Sequence, residues 1–298
     1  MEKQCEKTQK KYVWFVVLLI FVILCLAAFD SRMIVRRYDV DATEISTPVR
    51  VVLVTDLHSC DYGEGQKTLL DAVDECAPDL ILLGGDIFDD EMDDANTEIF
   101  LAGIAEKYGC YYVTGNHEYW SERDAFDAKM EILEKYGITI LSGDCETIEV
   151  NGEKINLCGV DDPDSYMVRF DIAQAPQGYA QAEIEKIHTF NQQLDEVKAM
   201  AQNEYFTILL SHRPELFENY VSRGFDLALC GHAHGGQWRI PWILNGLYAP
   251  NQGLIPPYAG GRYDEDGTTM IVSRGLARES TRLPRIFNRP ELVLVTIR

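Results

Sequence analysis

Five short polar motifs, each set just after an apolar, β-rich run, narrow the folds open to this chain. They are Asp56-Leu-His58, Gly84-Gly-Asp86, Gly115-Asn-His-Glu118, Ser211-His212 and Gly231-His-Ala-His-Gly-Gly-Gln237. Runs with strand character cover 49–55, 79–84, 110–114, 138–141, 206–211, 226–230, 269–273 and 291–297. Helix-like segments at 66–76, 94–107, 121–136, 180–202 and 214–222 alternate with them. Early β–α alternation followed by hairpins predicts α/β layers rather than a pure parallel sheet. In α/β sheets the C-terminal ends of strands present the ligand-binding groups, and the five motifs occupy those places.

One hairpin is legible in detail. Asn151-Gly152 is a strong two-residue turn signal between 145–150 and 153–158. It sets Glu149 opposite Lys154, Ile148 opposite Ile155 and Cys145 opposite Cys158. The two thiols are then close enough for a disulfide if the domain is exported; reduced, half-buried thiols are the alternative. The eight cysteines otherwise lack Cys-x-x-Cys or finger spacing, so no structural zinc module is indicated.

A second constraint is residues 12–29, an 18-residue run without charge, Gly or Pro. At about 1.5 Å per residue it reaches roughly 27 Å, close to the bilayer core of about 30 Å. A signal peptide has a shorter apolar region and small residues at its cleavage site. Here Ala27-Ala28 is flanked by bulky Leu26 and Phe29, so an uncleaved anchor is expected. The chain then divides into a tail at 1–11, a transmembrane anchor at 12–29, a polar linker at 30–46 and one domain over 47–298. Lys3, Lys7, Lys10 and Lys11 precede the anchor, and Arg32, Arg36 and Arg37 follow it. That slight asymmetry favours a cytoplasmic N-terminus. It places a single-pass protein in the cell membrane with its domain on the extracytoplasmic side.

Charge excludes one class. With 27 Lys and Arg against 48 Asp and Glu, the net charge is -21, and no nucleic-acid surface is expected, because such a surface must be basic. Phosphate chemistry stays open, since bound cations supply positive charge locally.

The motifs carry the chemistry. Asp56 and His58 lie two apart, so an extended segment points both the same way. His232 and His234 repeat that spacing, and of the six histidines only His188 lies outside the motifs. Singly, each motif has a bland reading as a turn or a structural histidine. Their joint occurrence does not. Imidazole with carboxylate suits Zn, Fe or Mn rather than Ca, and the donor count exceeds the needs of one ion, so two metals are expected.

In these motifs and their order, over residues 56–237, the chain resembles the calcineurin-like metallophosphoesterase family. The resemblance implies a four-layer α/β/β/α sandwich with mixed sheets. It implies two divalent or mixed-valence transition metal ions (Mn, Fe or Zn) at the mouth. Asp56, His58 and His234 would hold one ion, and Asn116, His212 and His232 the other, with Asp86 bridging them. His117 would stabilise charge or protonate the leaving oxygen, while a metal-activated hydroxide attacks phosphorus in line. The Gly231–Gln237 motif, the anchor and the chain length look most like a membrane-anchored bacterial subgroup. That subgroup includes enzymes similar to UDP-2,3-diacylglucosamine pyrophosphohydrolases. Two departures stand out: the family's Gly-Leu-Gly is Gly275-Leu-Ala277 here, and 285–292 keep only the Arg-x-Phe and Pro-Glu features.

Trp238 and Trp242 fall in the apolar segment directly after the last motif. They are expected to line an apolar wall that accepts an acyl chain or touches the membrane, or else to pack the core. Arg213 and Arg239 are candidate phosphate contacts, or surface partners in an acidic protein. The expected function is a membrane-anchored, dinuclear-metal phosphoesterase for a phosphodiester or pyrophosphate in a lipid-linked substrate such as UDP-diacylglucosamine. A tethered enzyme for a soluble substrate and a non-catalytic binding module are the alternatives. The full donor set argues against the module.

Overall fold

The computed structural model describes residues 2–166, 179–278 and 283–298. Two mixed six-stranded sheets face each other. Sheet one runs β1 (Ile34–Val40), β14 (Glu291–Ile297), β2 (Val49–Val54), β3 (Leu80–Gly84), β4 (Gly109–Val113) and β5 (Thr139–Ile140). Sheet two runs β12 (Gly261–Glu265), β13 (Thr268–Val272), β9 (Leu227–Cys230), β8 (Phe206–Leu210), β7 (Glu153–Gly159) and β6 (Asp144–Val150). A two-stranded ribbon, β10 (Tyr248–Ala249) with β11 (Gly253–Leu254), stands apart.

Alternation along the strands builds three apolar layers. Val51 and Leu53 of β2 point toward sheet two and meet Ile208, Leu210 and Leu229. Val52 and Val54 point the other way, onto helices α2 (Lys67–Cys76), α3 (Ala95–Ala105) and α5 (Arg123–Lys135). On the far face of sheet two, Leu209, Ala228 and Met270 pack against Phe190 and Leu194 of α6 (Tyr179–Met200) and Phe217 of α7 (Phe217–Val221). This is the α/β/β/α sandwich that the resemblance implies. Each central strand is apolar on both faces because both are covered.

The hairpin forms in the expected register, with Cys145 opposite Cys158 and Glu149 opposite Lys154. The two cysteines are joined by a disulfide, with their Cα atoms 3.9 Å apart. At the N-terminus, α1 (Glu2–Ala28) carries the apolar run, and only 6% of the window Lys11–Ala28 is buried.

Residues 2–11 are helical, since α1 begins at Glu2 and continues through them into the apolar run. One expectation is corrected. Residues 30–46 are not a linker. Within them β1 pairs in parallel with β14, Ile34 opposite Glu291 through Val40 opposite Ile297. Arg36, Arg37 and Asp39 made the segment look polar, but β1 is an edge strand, where charge is tolerated and discourages further pairing.

Candidate metal centre

The donors arise at the C-terminal ends of parallel strands from both sheets. Asp56 and His58 follow β2, Asp86 follows β3, and Asn116 opens the short helix α4 (Asn116–Trp120) after β4. His212 follows β8, and His232 and His234 follow β9. The seam between the sheets is stitched at this level. His212 Nδ1 donates to the Gly84 carbonyl at 2.8 Å, and the His232 N–H donates to Asp56 Oδ1 at 3.0 Å. Leu276 N–H, beyond β13, reaches the carbonyls of Thr55 and Asp56, each at 3.1 Å.

The backbone is bent to aim these groups. Asp56, His58, Asp86, His232 and His234 all have left-handed φ between 46° and 64°. That region is uncommon for residues other than glycine, and clusters of it mark sites where geometry is imposed by the surroundings. Glycine is needed where backbones close in. A side chain at Gly115 would collide with the Asp86 carboxylate, and a Cβ on Gly275 would stand 2.5 Å from that of Asp56. The departure at Ala277 therefore spares the glycine that touches the site.

Two groups of donors share Asp86. One is Asp56, His58, Asp86 and His234, and the other is Asp86, His212 and His232. Asp86 Oδ2 lies 3.1 Å from His212 Nε2 and 3.6 Å from His58 Nε2. Buried atoms without a hydrogen-bond partner include Asp86 Oδ2, Asn116 Oδ1, Nε2 of His58 and His212, and Nδ1 of His232 and His234. Unpaired buried polar atoms are expensive, and a cluster of them around one carboxylate is what cations would satisfy. Charge agrees. Burial opposes ionisation of Asp86, yet His212, His117 and His58 hold its carboxyl well below the usual range. Burial also opposes protonation of His212, but Asp86, Asp56 and Asp162 push it up to about 10. Burial keeps His232 and His234 neutral, helped by Arg213 beside the first and His58 beside the second. Neutral imidazole and ionised carboxylate are the forms that bind metal, so Asp86, His232 and His234 are ready as they stand and His212 would give up its proton as an ion enters. The donor set therefore fits two divalent ions.

Groups that sequence reading did not assign hold the donors in place. Glu118 is buried and accepts the backbone N–H groups of Asp86, Ile87, Phe88 and Gly115 at 2.8–3.1 Å. It thereby fixes the turn that carries Asp86. Asp89 Oδ2 accepts from His58 Nδ1 at 2.8 Å, which leaves Nε2 facing Asp86. Asp90 does the same for His117 at 2.5 Å. Partners of this kind orient a metal-binding imidazole and set its tautomer. Their only signal in the sequence was position: Glu118 inside a motif, Asp89 and Asp90 just after one.

His117 sits on the rim, part-exposed, with its backbone N–H on Asp86 Oδ1 at 2.8 Å. It lines a cavity of about 470 Å³ with Asp86, Asn116, Trp120, Lys186 and Arg213. Of the four candidate substrate residues, only Arg213 is here. It is buried, forms a double hydrogen bond with Asp162, and donates to His232 Nε2 and Asn251 Oδ1 at 3.0 and 2.7 Å. Trp238 donates to the Pro284 carbonyl, and Arg239 and Trp242 line a different cavity. The chain turns away after Gln237: Trp238 N–H bonds back to Gly236, and Arg239 N–H joins Ile286. Tyr119 and Trp120 are the aromatic residues lining this cavity among the described residues, and the Trp120 ring lies 4.5 Å from that of His117. His188 lies outside, exposed on α6.

The calcineurin-like phosphoesterase profile matches residues 49–236. An uncharacterized metallophosphoesterase of Helicobacter pylori J99 is 28% identical over 250 residues, which is 82% of this chain and 59% of that protein. Phosphodiesterase YaeI of Escherichia coli K12 is 26% identical over 203 residues, 66% of this chain and 65% of its own length. A transmembrane protein with metallophosphoesterase domain from Danio rerio is 26% identical over 264 residues, 84% of this chain and 53% of its own length. The chain thus spans less than two thirds of each of these relatives.

Proposed function

The chain belongs to the calcineurin-like phosphoesterase family, and from that premise we propose that it hydrolyses a phosphodiester or pyrophosphate bond at a two-metal centre while anchored in a membrane by α1. The observation that carries the reading is the set of unpartnered buried donors around Asp86. When bound, two divalent ions would polarise the phosphoryl oxygens and acidify a water between them. Asp86 alone faces both donor groups, so its two oxygens suit it to bridge. Asn116 adds a neutral oxygen, which limits the negative charge near an anionic substrate. Asp90 holds the His117 ring at the cavity rim, where it can carry a proton to a leaving oxygen.

A lipid-linked substrate is supported by α1 and by the apolar side chains exposed at Trp242, Ile243, Leu254 and Ile255. An extracytoplasmic domain is supported by the Cys145–Cys158 disulfide. The test is hydrolysis of bis-p-nitrophenyl phosphate by the full chain in detergent, with manganese, with chelator, and with His58→Ala. Metal-dependent turnover that is lost in the variant is expected. Its absence in protein of confirmed metal content would remove the diesterase reading. Comparing a lipid-linked with a soluble pyrophosphate in vesicles then decides the substrate class; preference for the soluble one would leave α1 as a tether only.

A further inference from the structure

A second cavity, of about 520 Å³, is lined in part by Arg36, Arg239, Trp242, Asn245, Arg274 and Phe287. Three guanidinium groups gather there in a chain of net charge -21. Arg274 Nε donates to Glu291 Oε2 at 2.6 Å, and Arg36 approaches the same oxygen at 3.7 Å. One carboxylate is therefore shared by two of the three. Among the described residues the Arg239 guanidinium has only a neutral acceptor, Asn245 Oδ1 at 2.5 Å, and its Nη1 is buried without a hydrogen-bond partner. Burial and the repulsion of Arg274 pull its guanidinium down to about 10. A planar cation with a spare donor suits a phosphate group.

The same cavity borders apolar side chains that face water. Trp242 is fully exposed, Ile243 is 82% exposed and Ile240 48%. This face is tied to the end of α1. Trp238 bridges to Ile286, the next residue's N–H, Phe287, donates to the Ala28 carbonyl at 2.7 Å, and Arg289 pairs with Asp30 at 3.5 Å. With α1 across a bilayer, its last turn brings Trp242 to the membrane surface, where tryptophan is favoured at either interface, and sets the arginines beside the headgroups.

We propose that this cavity binds the phosphate headgroup of an anionic phospholipid in the leaflet at the C-terminal end of α1, with Trp242 and Ile243 immersed beside it. A free anion would satisfy the arginines but leave the apolar side chains in water. A zwitterionic lipid would cover those side chains but bring an ammonium group toward three arginines. The proposal rests on α1 spanning a membrane and not on hydrolysis. Among the described residues, this cavity and the metal cavity share no lining residue.

The test is hydrogen exchange of the full chain in phosphatidylcholine nanodiscs with and without phosphatidylglycerol. Amides of 239–245 should exchange ~10-fold more slowly with phosphatidylglycerol, as ordering of an open loop requires. The double substitution Arg36→Gln with Arg239→Gln should erase the difference and leave the amides of Ile87 and Phe88 unchanged, which reports an intact fold. Inorganic phosphate added to phosphatidylcholine discs should protect nothing. Equal protection in both discs, protection by phosphate alone, or protection that survives the double substitution overturns the proposal. His58→Ala should keep the full difference. Loss of the difference in that variant would seat the lipid in the metal centre and overturn a separate site. Failed hydrolysis with the difference intact would sink only the proposed function.

Discussion

Left-handed backbone occurs at Asp56, His58, Asp86, His232 and His234, and again at Trp242 and Ile255. In the mouth the bends have committed partners: Glu118 takes four backbone N–H groups around Asp86, Asp89 holds His58, Asp56 takes the His232 N–H, and Asn288 donates to the His234 carbonyl. In the loops at 239–255 the bends are secured by turn hydrogen bonds, such as Ile243 N–H to Ile240, and the apolar side chains stand in solvent. A β-branched residue with positive φ, such as Ile255, is an outlier that its surroundings must compel. Local strain thus serves two ends. At the mouth it points polar atoms inward against each other, and in the loops it points apolar atoms outward.

That contrast is broken or sharpened by substitution. Asp86→Ala should abolish metal-dependent turnover together with bound metal, since both donor groups lose their shared member; metal content by elemental analysis checks it. His117→Ala should keep both ions and lower turnover by about 10²-fold, the scale of a lost proton-transfer group. Equal metal loss in the two variants would refute that division of roles. Glu118→Ala should cost at least about 3 kcal/mol in denaturant unfolding, because four backbone donors lose their acceptor at about 1–3 kcal/mol for a buried unsatisfied group. Glu118→Gln, which keeps one acceptor oxygen but turns an NH2 donor toward the other two N–H groups, should recover less than half of it. Asp89→Asn should weaken metal binding about 10-fold, as loss of an outer-shell carboxylate does, read by metal titration. Trp242→Ala should change unfolding free energy by less than about 0.5 kcal/mol, as an exposed side chain allows. A larger cost would mean that the loop is as firmly braced as the mouth.

Much of this construction was legible before any coordinates. The Asn151-Gly152 turn fixed the hairpin register down to the cysteine pair, because a two-residue turn leaves one pairing. Strand β14 forms over the expected residues 291–297. The edges were not legible. Strand β1 carries charge and finds its partner at the far end of the chain, so no local pattern announces it. Arg239 and Trp242 were placed near the metals by their closeness in sequence. The chain reverses at Gly236, whose Cβ position is blocked by Gly246, and carries them into the other cavity.

The sequence alone determined which donor types exist and that each follows a strand, because strand periodicity and turn chemistry are local. It also determined the apolar run of α1. Tertiary structure decided that donors from two sheets meet across one seam, that Glu118, Asp89 and Asp90 brace them, and which arginine serves which cavity. Those outcomes depend on packing between residues that lie 27 to 176 positions apart, such as Asp90 with His117, or Asp56 with His232. Over such separations the buried apolar layers, rather than neighbouring residues, set the geometry.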